Sequence, residues 1–485
     1  MLTALLLIPI IGTLVILPMS EETSSTQIKQ IGLIRSLLNF ILSIVIWGEF
    51  DSSSLQYQFV QEFNTLDFCH LHIGIDGISL YFVLLTTFIT PLCLLSNWEN
   101  LKFGYKYYFI AFLLMETLLI AVFVVLDLML FYVFFEAVLI PMFLVVGIWG
   151  GSITRIRASF LLFLYTLAGS LFMLLSIVVI YYNVGSTDFT ILSLSDISFE
   201  SQKILWLGFF LSFAVKTPMV PFHIWLPRAH AEAPLRGSIL LASVFLKLAI
   251  YGFLRILINF LPDATHYFSP LVQTIAIITL IYSSLATIRQ SDFKRLVAYS
   301  SIRHMAVVVL GLFSNTIVGI EGAILLSVAH GFISPAMFIL VGGVLYDAFH
   351  TRVIRYYRGM TVYMPVFSLL FFLATIANMG IPLSLNWAGE YMSLAGTFQK
   401  SPVIGLLGAS GILLSSCYGI FLFNRISFGR YSQYLGKAKD VSRREFVMLI
   451  TLIGVTFVLG IFPNIILNDL HVAVTSLLYT APSLS

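Results

Sequence analysis

Apolar runs long enough to cross a bilayer follow one another along almost the whole chain, and they leave few architectures open. The hydrocarbon core offers no water to the backbone. Every N–H and C=O within it must therefore be satisfied by the chain itself, which restricts spanning structures to helices and closed barrels. Runs of roughly 20 residues suit helices; barrel strands need only about 10. The runs fall near 2–18, 31–50, 78–96, 107–126, 128–149, 159–183, 204–222, 237–260, 269–288, 296–313, 318–345, 364–382, 383–400, 402–425 and 446–468. Only Ile381-Pro382 divides 364–382 from 383–400, so these two read as one broken helix, giving about fourteen spans. The expected fold is an all-α polytopic membrane protein, a single integral membrane domain over 1–485.

Composition agrees, with 59% hydrophobic and only 10% charged residues. Soluble globular domains do not have this balance. A formal net charge of +3 is too small to draw in nucleic acid. Cys69, Cys93 and Cys417 show no CxxC or ligand spacing, so no metal site, iron–sulfur cluster or disulfide framework is expected. No Gly-rich dinucleotide fingerprint or Walker loop is present, so no nicotinamide, flavin or ATP should bind. Leu2 to Pro18 lacks a basic n-region and an Ala-x-Ala cleavage site and reads as a first retained helix. The absence of an Arg-rich import segment fits synthesis inside an organelle.

Basic residues test the span count. Most of the 26 Lys and Arg fall on odd-numbered loops, among them Lys29, Lys102, Arg155, Arg289, Arg352, Arg355, Arg358, Arg430 and Lys437. The other side holds Lys203, Arg255 and Lys400, and carries Asp51, Glu62, Asp67, Asp76, Asp127, Asp188 and Asp469 instead. This is the positive-inside pattern. It implies an even number of spans with both termini on the outer face.

Within the spans stand charges that lipid penalises by about 2.5–3.5 kcal/mol each, and such residues mark ion or proton paths by default. Glu136 lies in FYVFFEAVLIPMF, Lys216 in FLSFAVKTPMV, Lys247 in LASVFLKLAIYGF, and Glu390 follows the Pro382 break. Burial disfavours the charged form of either residue type, so a buried acid and a buried lysine can exchange a proton. A Glu136–Lys216 pair would act as a switch, with Lys247 receiving the proton. The other reading is an ion pair that only locks helices together. Glu116, in LLMETLLIAVF, belongs either to the relay or to a lateral contact with a neighbouring subunit. His330, mid-span in LLSVAHGFISPAMF, suits a link between Lys247 and Glu390. His304, placed near the start of its span, is the weaker histidine. His223, His230 and Glu232 flank the Pro218–Pro221 break and either form a polar entry path or stabilise the break; no HExxH metal motif is present. His350 reads as interfacial. Proline-broken helices near Lys216 and Glu390 hint at an internal repeat, since paired broken helices point to a transport site, although membrane helices also simply tolerate proline.

Three segments carry a specific resemblance: VKTPMVPFHIWLPRAHAEAP at 215–234, LMLFYVFFEAVLIPMF at 128–143 and FKRLVAYSSIRHM at 293–305. The chain resembles the subunit 4 family of proton-pumping NADH:quinone oxidoreductase, respiratory complex I, within a wider group that includes multi-subunit sodium/proton antiporters. The resemblance covers nearly the whole chain. It implies fourteen helices: N-terminal helices in 1–106, two inverted five-helix repeats over 107–260 and 269–425, and a C-terminal helix and tail in 446–485. The seventh and twelfth helices would be discontinuous. It assigns a proton relay to Glu136, Lys216, Lys247, His330 and Glu390, and matches Glu116 to the acid of the fourth helix. It implies that NADH, FMN, iron–sulfur clusters and ubiquinone sit in other subunits, and that neighbouring antiporter-like subunits and membrane lipids are partners. The expected place is the mitochondrial inner membrane, basic loops on the matrix side and termini on the intermembrane-space side, with a bacterial plasma membrane as the alternative. A cation/proton antiporter subunit is the competing function. The sequence departs from the family at Arg303, Leu235-Arg236 and Asn386-Trp387, and Arg303 should perturb some neighbouring group.

Overall fold

The computed structural model describes residues 1–66, 69–96, 98, 104–436 and 439–479, without the side chains of 22–24, 64–66, 69–70 and 479. Asp67, Lys102, Lys437 and the Cys69 side chain lie outside the described residues. In chain order the principal helices are α1 (Leu2–Ile16), α2 (Glu21–Glu49), α3 (Gly77–Ser96), α4 (Tyr105–Val124), α5 (Leu128–Trp149) and α6 (Arg155–Val184). Next come α7, in two pieces (Phe199–Lys216 and Trp225–Glu232), α8 (Leu235–Ile258), α9 (Pro262–Ile288), α10 (Phe293–Leu312) and α11 (Ile317–Phe349). The last are α12, again in two pieces (Pro365–Met379 and Leu385–Lys400), α13 (Pro402–Ser427), α14 (Arg443–Ile461) and α15 (Asn464–Tyr479). Among the described residues, 11 helices are long and apolar enough to cross a membrane. With α1 and the two interrupted helices, they correspond to the spans expected from the sequence.

Both proline breaks appear where the sequence places them. Pro218 and Pro221 cannot donate to a helix ladder; the first piece of α7 ends at Lys216 and the second starts at Trp225. In α12 the first piece ends on Gly380 at φ +77°, and Ser384 caps the second by accepting from Trp387 N. Three features depart from the expectation. A β-hairpin, β1 (Gln58–Leu66) and β2 (Cys69–Ile75), precedes α3, so the chain is all-α only in its spans. The run 446–468 is not one helix: α14 stops at Ile461, and Pro463 opens the separate α15. Finally, α5 is distorted at Val138, two residues after Glu136. Pro141 has no N–H to give the carbonyl of Ala137, which explains the fault.

The chain divides into two compact units, 1–218 with 244–269 and 468–485, and 219–243 with 270–467. In the first unit, Phe82, Phe123 and Tyr251 form an aromatic cluster with centroid separations of 5.2–6.2 Å. The Tyr251 hydroxyl donates to Phe123 O at 3.1 Å. Arg255, assigned to a loop side by the charge pattern, is instead 3% exposed within α8 and pairs with Asp76. Asp469 on α15 accepts from Tyr81 (2.6 Å) and Trp47 (3.1 Å), fastening the C-terminal helix to α2 and α3. Outside the spans, burial pushes the Asp188 carboxyl up, but hydrogen bonds from Thr190 and His72 outweigh it and hold the group below its ordinary range.

In the second unit, small residues let α11 approach the second piece of α12. A Cβ on Gly389 would stand 2.5 Å from Leu326 N, and one on Gly396 would stand 2.4 Å from Gly319 Cα. Such small-residue seams replace hydrophobic burial as the packing force between helices in lipid. Gly389→Val is therefore expected to wedge α12 from α11 and to deplete the assembled protein on a native gel. Gly454→Val, at a position with nothing within 4 Å, should leave that level unchanged.

Candidate functional site

Two spans are enclosed on every side: the windows of α8 and α11 are 100% buried, against 39% for α6. Those two helices carry Lys247 and His330, each 0% exposed. Arg236 and Arg255 lie towards the ends of α8, and Glu321 and Asp347 towards the ends of α11; Lys247 and His330 are the charge-bearing groups nearest mid-span, and such residues within spans mark ion or proton paths by default. Both helices also widen locally to π turns, at 241–245 and 253–258 around Lys247 and at 339–345 after His330. Such bulges concentrate at functional sites. Pro335, four residues beyond Gly331, leaves that carbonyl without its helical donor one residue from His330.

In the first unit, Lys216 ends the first piece of α7 and is 1% exposed. Its Nζ donates to Phe135 O at 2.9 Å and lies 3.2 Å from the centroid of the Phe135 ring and 4.8 Å from that of Phe245. The ammonium thus leans on a carbonyl and two aromatic faces, not directly on the carboxylate of Glu136, with which it interacts electrostatically. Glu136 is half-buried, with Oε1 enclosed and unmatched, and Ser170 beside it. The structure brings Lys216 to Phe135, the residue before Glu136, without a direct ion-pair contact between Lys216 and Glu136. Glu116 is 0% exposed and faces inward: Asn39 Nδ2 donates to its Oε1 at 2.9 Å, while Oε2 is unmatched.

The second unit holds a network the sequence did not reveal. Arg303 Nη1 and Nη2 donate to Glu390 Oε1 and Oε2 at 2.7 and 2.9 Å, a buried bidentate pair. His304 Nδ1 lies 2.9 Å from Glu390 Oε1, and Nε2 lies 3.1 Å from Asn378 Oδ1. The His304 ring is 5.5 Å from that of His330. His304, expected near the start of its span, is instead the twelfth residue of α10, 0% exposed, and stands between His330 and Glu390. Arg303 meets Glu390 and, at 3.2 Å from Nη1, His304 Nδ1. Part of the signal was available, since a lone arginine in an apolar span needs a counter-charge and Glu390 was one of the span acids, with Glu116, for which none had been named. Glu390 also borders a side groove of about 630 Å³ lined by Pro382, Trp387, Tyr391, Phe398 and Ile412.

The residues flanking the first break have local partners. His230 stacks on Phe338 with centroids 4.7 Å apart, and Glu232 lies 4.0 Å from Arg352. His223 meets the Tyr282 ring at 5.2 Å, with Nδ1 unmatched. His350 closes α11 in the left-handed region and is exposed, at a span end as expected. Among the described residues, no group of three His, Cys, Asp or Glu side chains is placed to hold a metal ion.

Residues 125–415 match the family model described as NADH:quinone oxidoreductase/Mrp antiporter, TM. NADH-ubiquinone oxidoreductase chain 4 of Mycosarcoma maydis is 68% identical, covering 99% of this chain and 100% of the relative. The chain belongs to the chain 4 family of NADH-ubiquinone oxidoreductase. The Arabidopsis thaliana chain 4 is 46% identical over 98% of this chain and 96% of its own. A chain from the structure of respiratory complex I from Thermus thermophilus with bound NADH superposes with a TM-score of 0.89 at 28% identity, covering 99% of both chains. A second chain, from the same organism's complex with bound aureothin, matches with a TM-score of 0.77 at 17% identity and speaks for the fold alone. The chain is thus a proton-translocating, antiporter-like membrane subunit of complex I, without a redox centre of its own. As a family member it is a multi-pass protein of the mitochondrial inner membrane.

Proposed function

We propose that this subunit holds protons at two stations, one in each compact unit, and that these are the sites of its transport. The first consists of Glu136, Lys216 and Lys247. The second consists of His330, His304 and Glu390, with Arg303 as counter-charge. The observation that carries this reading is the seating of Lys247 and His330 on the two spans that are enclosed on every side.

At the first station, Lys216 has two resting places for its ammonium. One is the observed seat on Phe135 O and the ring faces; the other is Glu136. A change of field at Glu136 moves the lysine between them. Glu136 is the half-buried member, so it is reachable from the flank of the chain, where neighbouring antiporter-like subunits of complex I would pack. At the second station, His304 has a partner on each nitrogen. A proton on Nδ1 is shared with Glu390 and one on Nε2 with Asn378. As an imidazolium it donates to both; as a neutral ring it gives one up. Glu390, with both oxygens on Arg303, must release the guanidinium before it can take a proton. The side groove at Glu390 supports an exit there. Glu116, bonded to Asn39 within the chain, is kept outside the relay. The basic loops face the matrix and the termini face the intermembrane space, as the asymmetry of Lys and Arg supports.

The test is Lys247→Met in the intact complex, reconstituted into sealed vesicles. Assembly should persist, because Met fills a similar volume without a charge to desolvate. The pH gradient formed per NADH oxidised should fall. An unchanged ratio would remove Lys247 from the path.

A further inference from the structure

Two loops of the second unit meet at one end of its spans, one following α11 and the other following α13. Gly359 N donates to Phe428 O at 3.1 Å and Thr361 Oγ1 to Ser427 O at 2.8 Å, while Tyr431 OH braces the second loop internally on Gly436 O at 2.6 Å. Gly359 has φ +67°, and a Cβ there would stand 2.6 Å from Gly429 O, so the seam requires glycine. The rings of Tyr363 and Tyr431 lie 3.9 Å apart, and those of Tyr356 and Tyr434 lie 5.6 Å apart. Between the loops opens a pocket of about 440 Å³ rimmed by Arg355, Arg358 and Arg430, with Tyr356, Gln433 and Tyr434.

Among the described residues, none of these three guanidinium groups meets a carboxylate within ion-pair distance. Asp440, the acid nearest in sequence to Arg430, is engaged elsewhere: it accepts from Val366 N and Phe367 N at 2.9 and 3.1 Å. From the same loop an apolar strip runs along the start of α12. Val362, Val366, Leu369 and Phe372 are 76%, 39%, 60% and 43% exposed at helical spacing.

We propose that the pocket binds the phosphate of an anionic phospholipid whose acyl chains lie along the Val362–Phe372 strip. Arginine forks match phosphate oxygens in pairs. Basic pockets between span ends are suited to anionic head groups, and tyrosines sit at that depth of the bilayer. The strip distinguishes a lipid from free phosphate, because a soluble anion has no use for it. The uncompensated charge distinguishes it from an apolar partner helix.

The experiment uses the intact complex in nanodiscs of phosphatidylcholine doped with an anionic phospholipid bearing a photoreactive acyl chain. Labelled peptides are mapped by mass spectrometry. Labelling should fall on residues 362–372, and millimolar inorganic phosphate should not reduce it. Each charge near an anionic head group contributes about a fivefold change in binding, so the Arg355→Gln, Arg358→Gln, Arg430→Gln variant should need roughly a hundredfold more probe. If the triple variant does not assemble, Arg430→Gln alone should show about the fivefold step. Equal labelling from a phosphatidylcholine probe, unchanged labelling in the Gln variants, displacement by inorganic phosphate, or label only on another polypeptide would each overturn the proposal.

Discussion

Glu136→Gln is expected to leave the complex at full size on a native gel and to cut the pH gradient formed per NADH oxidised. The substitution keeps the shape of the side chain, exchanges one acceptor oxygen for an amide donor and removes the charge. Glu136 is half-buried and makes no ion-pair contact with Lys216, whose ammonium already has a seat on Phe135. Packing therefore changes little. The field at Lys216 changes a great deal: bringing unit opposite charges from ~6 to ~3 Å apart gains about 3 kcal/mol at an effective dielectric near 20. That is a factor of about a hundred in how the lysine divides between two positions. If the gradient per NADH is unchanged, Glu136 only helps to hold α5 and α7 together. Glu136→Asp serves as the control, since it keeps the charge and should keep most of the activity.

The spans, the two broken helices and most of the buried charges were legible because lipid enforces simple rules. A backbone without water must be helical, proline cannot continue a helix, and a charge in an apolar run is conspicuous. Features set by local or long-range geometry were not legible in this way. The β-hairpin lies between the apolar runs of α2 and α3, where its alternation is weak. The C-terminal helix α15 continues an apolar run across Pro463, and its anchor, Asp469 on Tyr81 and Trp47, joins residues 388 and 422 positions apart. The π turns around Lys247 leave no compositional trace. Each is a change of hydrogen-bond register that packing dictates.

The sites show the same division. Lys216, Lys247 and His330 declare themselves by depth alone. The exception is His304: the run 296–313 already puts it at the ninth of eighteen residues, and in α10 it is the twelfth of twenty, so its depth was legible and only its partners were not. Its partners come from α12, over seventy positions away. Charge counting would have gone further than spacing here. Arg303 and Glu390, like Lys247 and Glu116, had no counter-charge named from the sequence, and a membrane interior favours pairing of opposite charges among such groups.

Arg303→Leu should be the most damaging single change in the second unit. Arg303 is 0% exposed, and both Glu390 oxygens accept from it. Removing one partner of a buried pair costs about 3–5 kcal/mol, because the remaining charge is left in a medium that cannot solvate it. That is a large share of the roughly 5–15 kcal/mol that holds a typical domain together. Assembled protein should therefore be scarce, as measured by the intensity of the full-size native band. Replacing both residues by apolar ones of similar volume is often neutral or stabilising. Arg303→Leu with Glu390→Leu should accordingly restore assembly. Pumping separates the two roles of the pair. If Glu390 works with His304 in the second station, the double variant assembles but forms a smaller pH gradient per NADH. If the pair is only a lock between α10 and α12, the double variant recovers both. His304→Asn in an otherwise unaltered chain sharpens the distinction. It leaves the Arg303–Glu390 pair intact and removes the one group in the network with a partner on each of two titrating nitrogens, so it should preserve the band and lower the gradient.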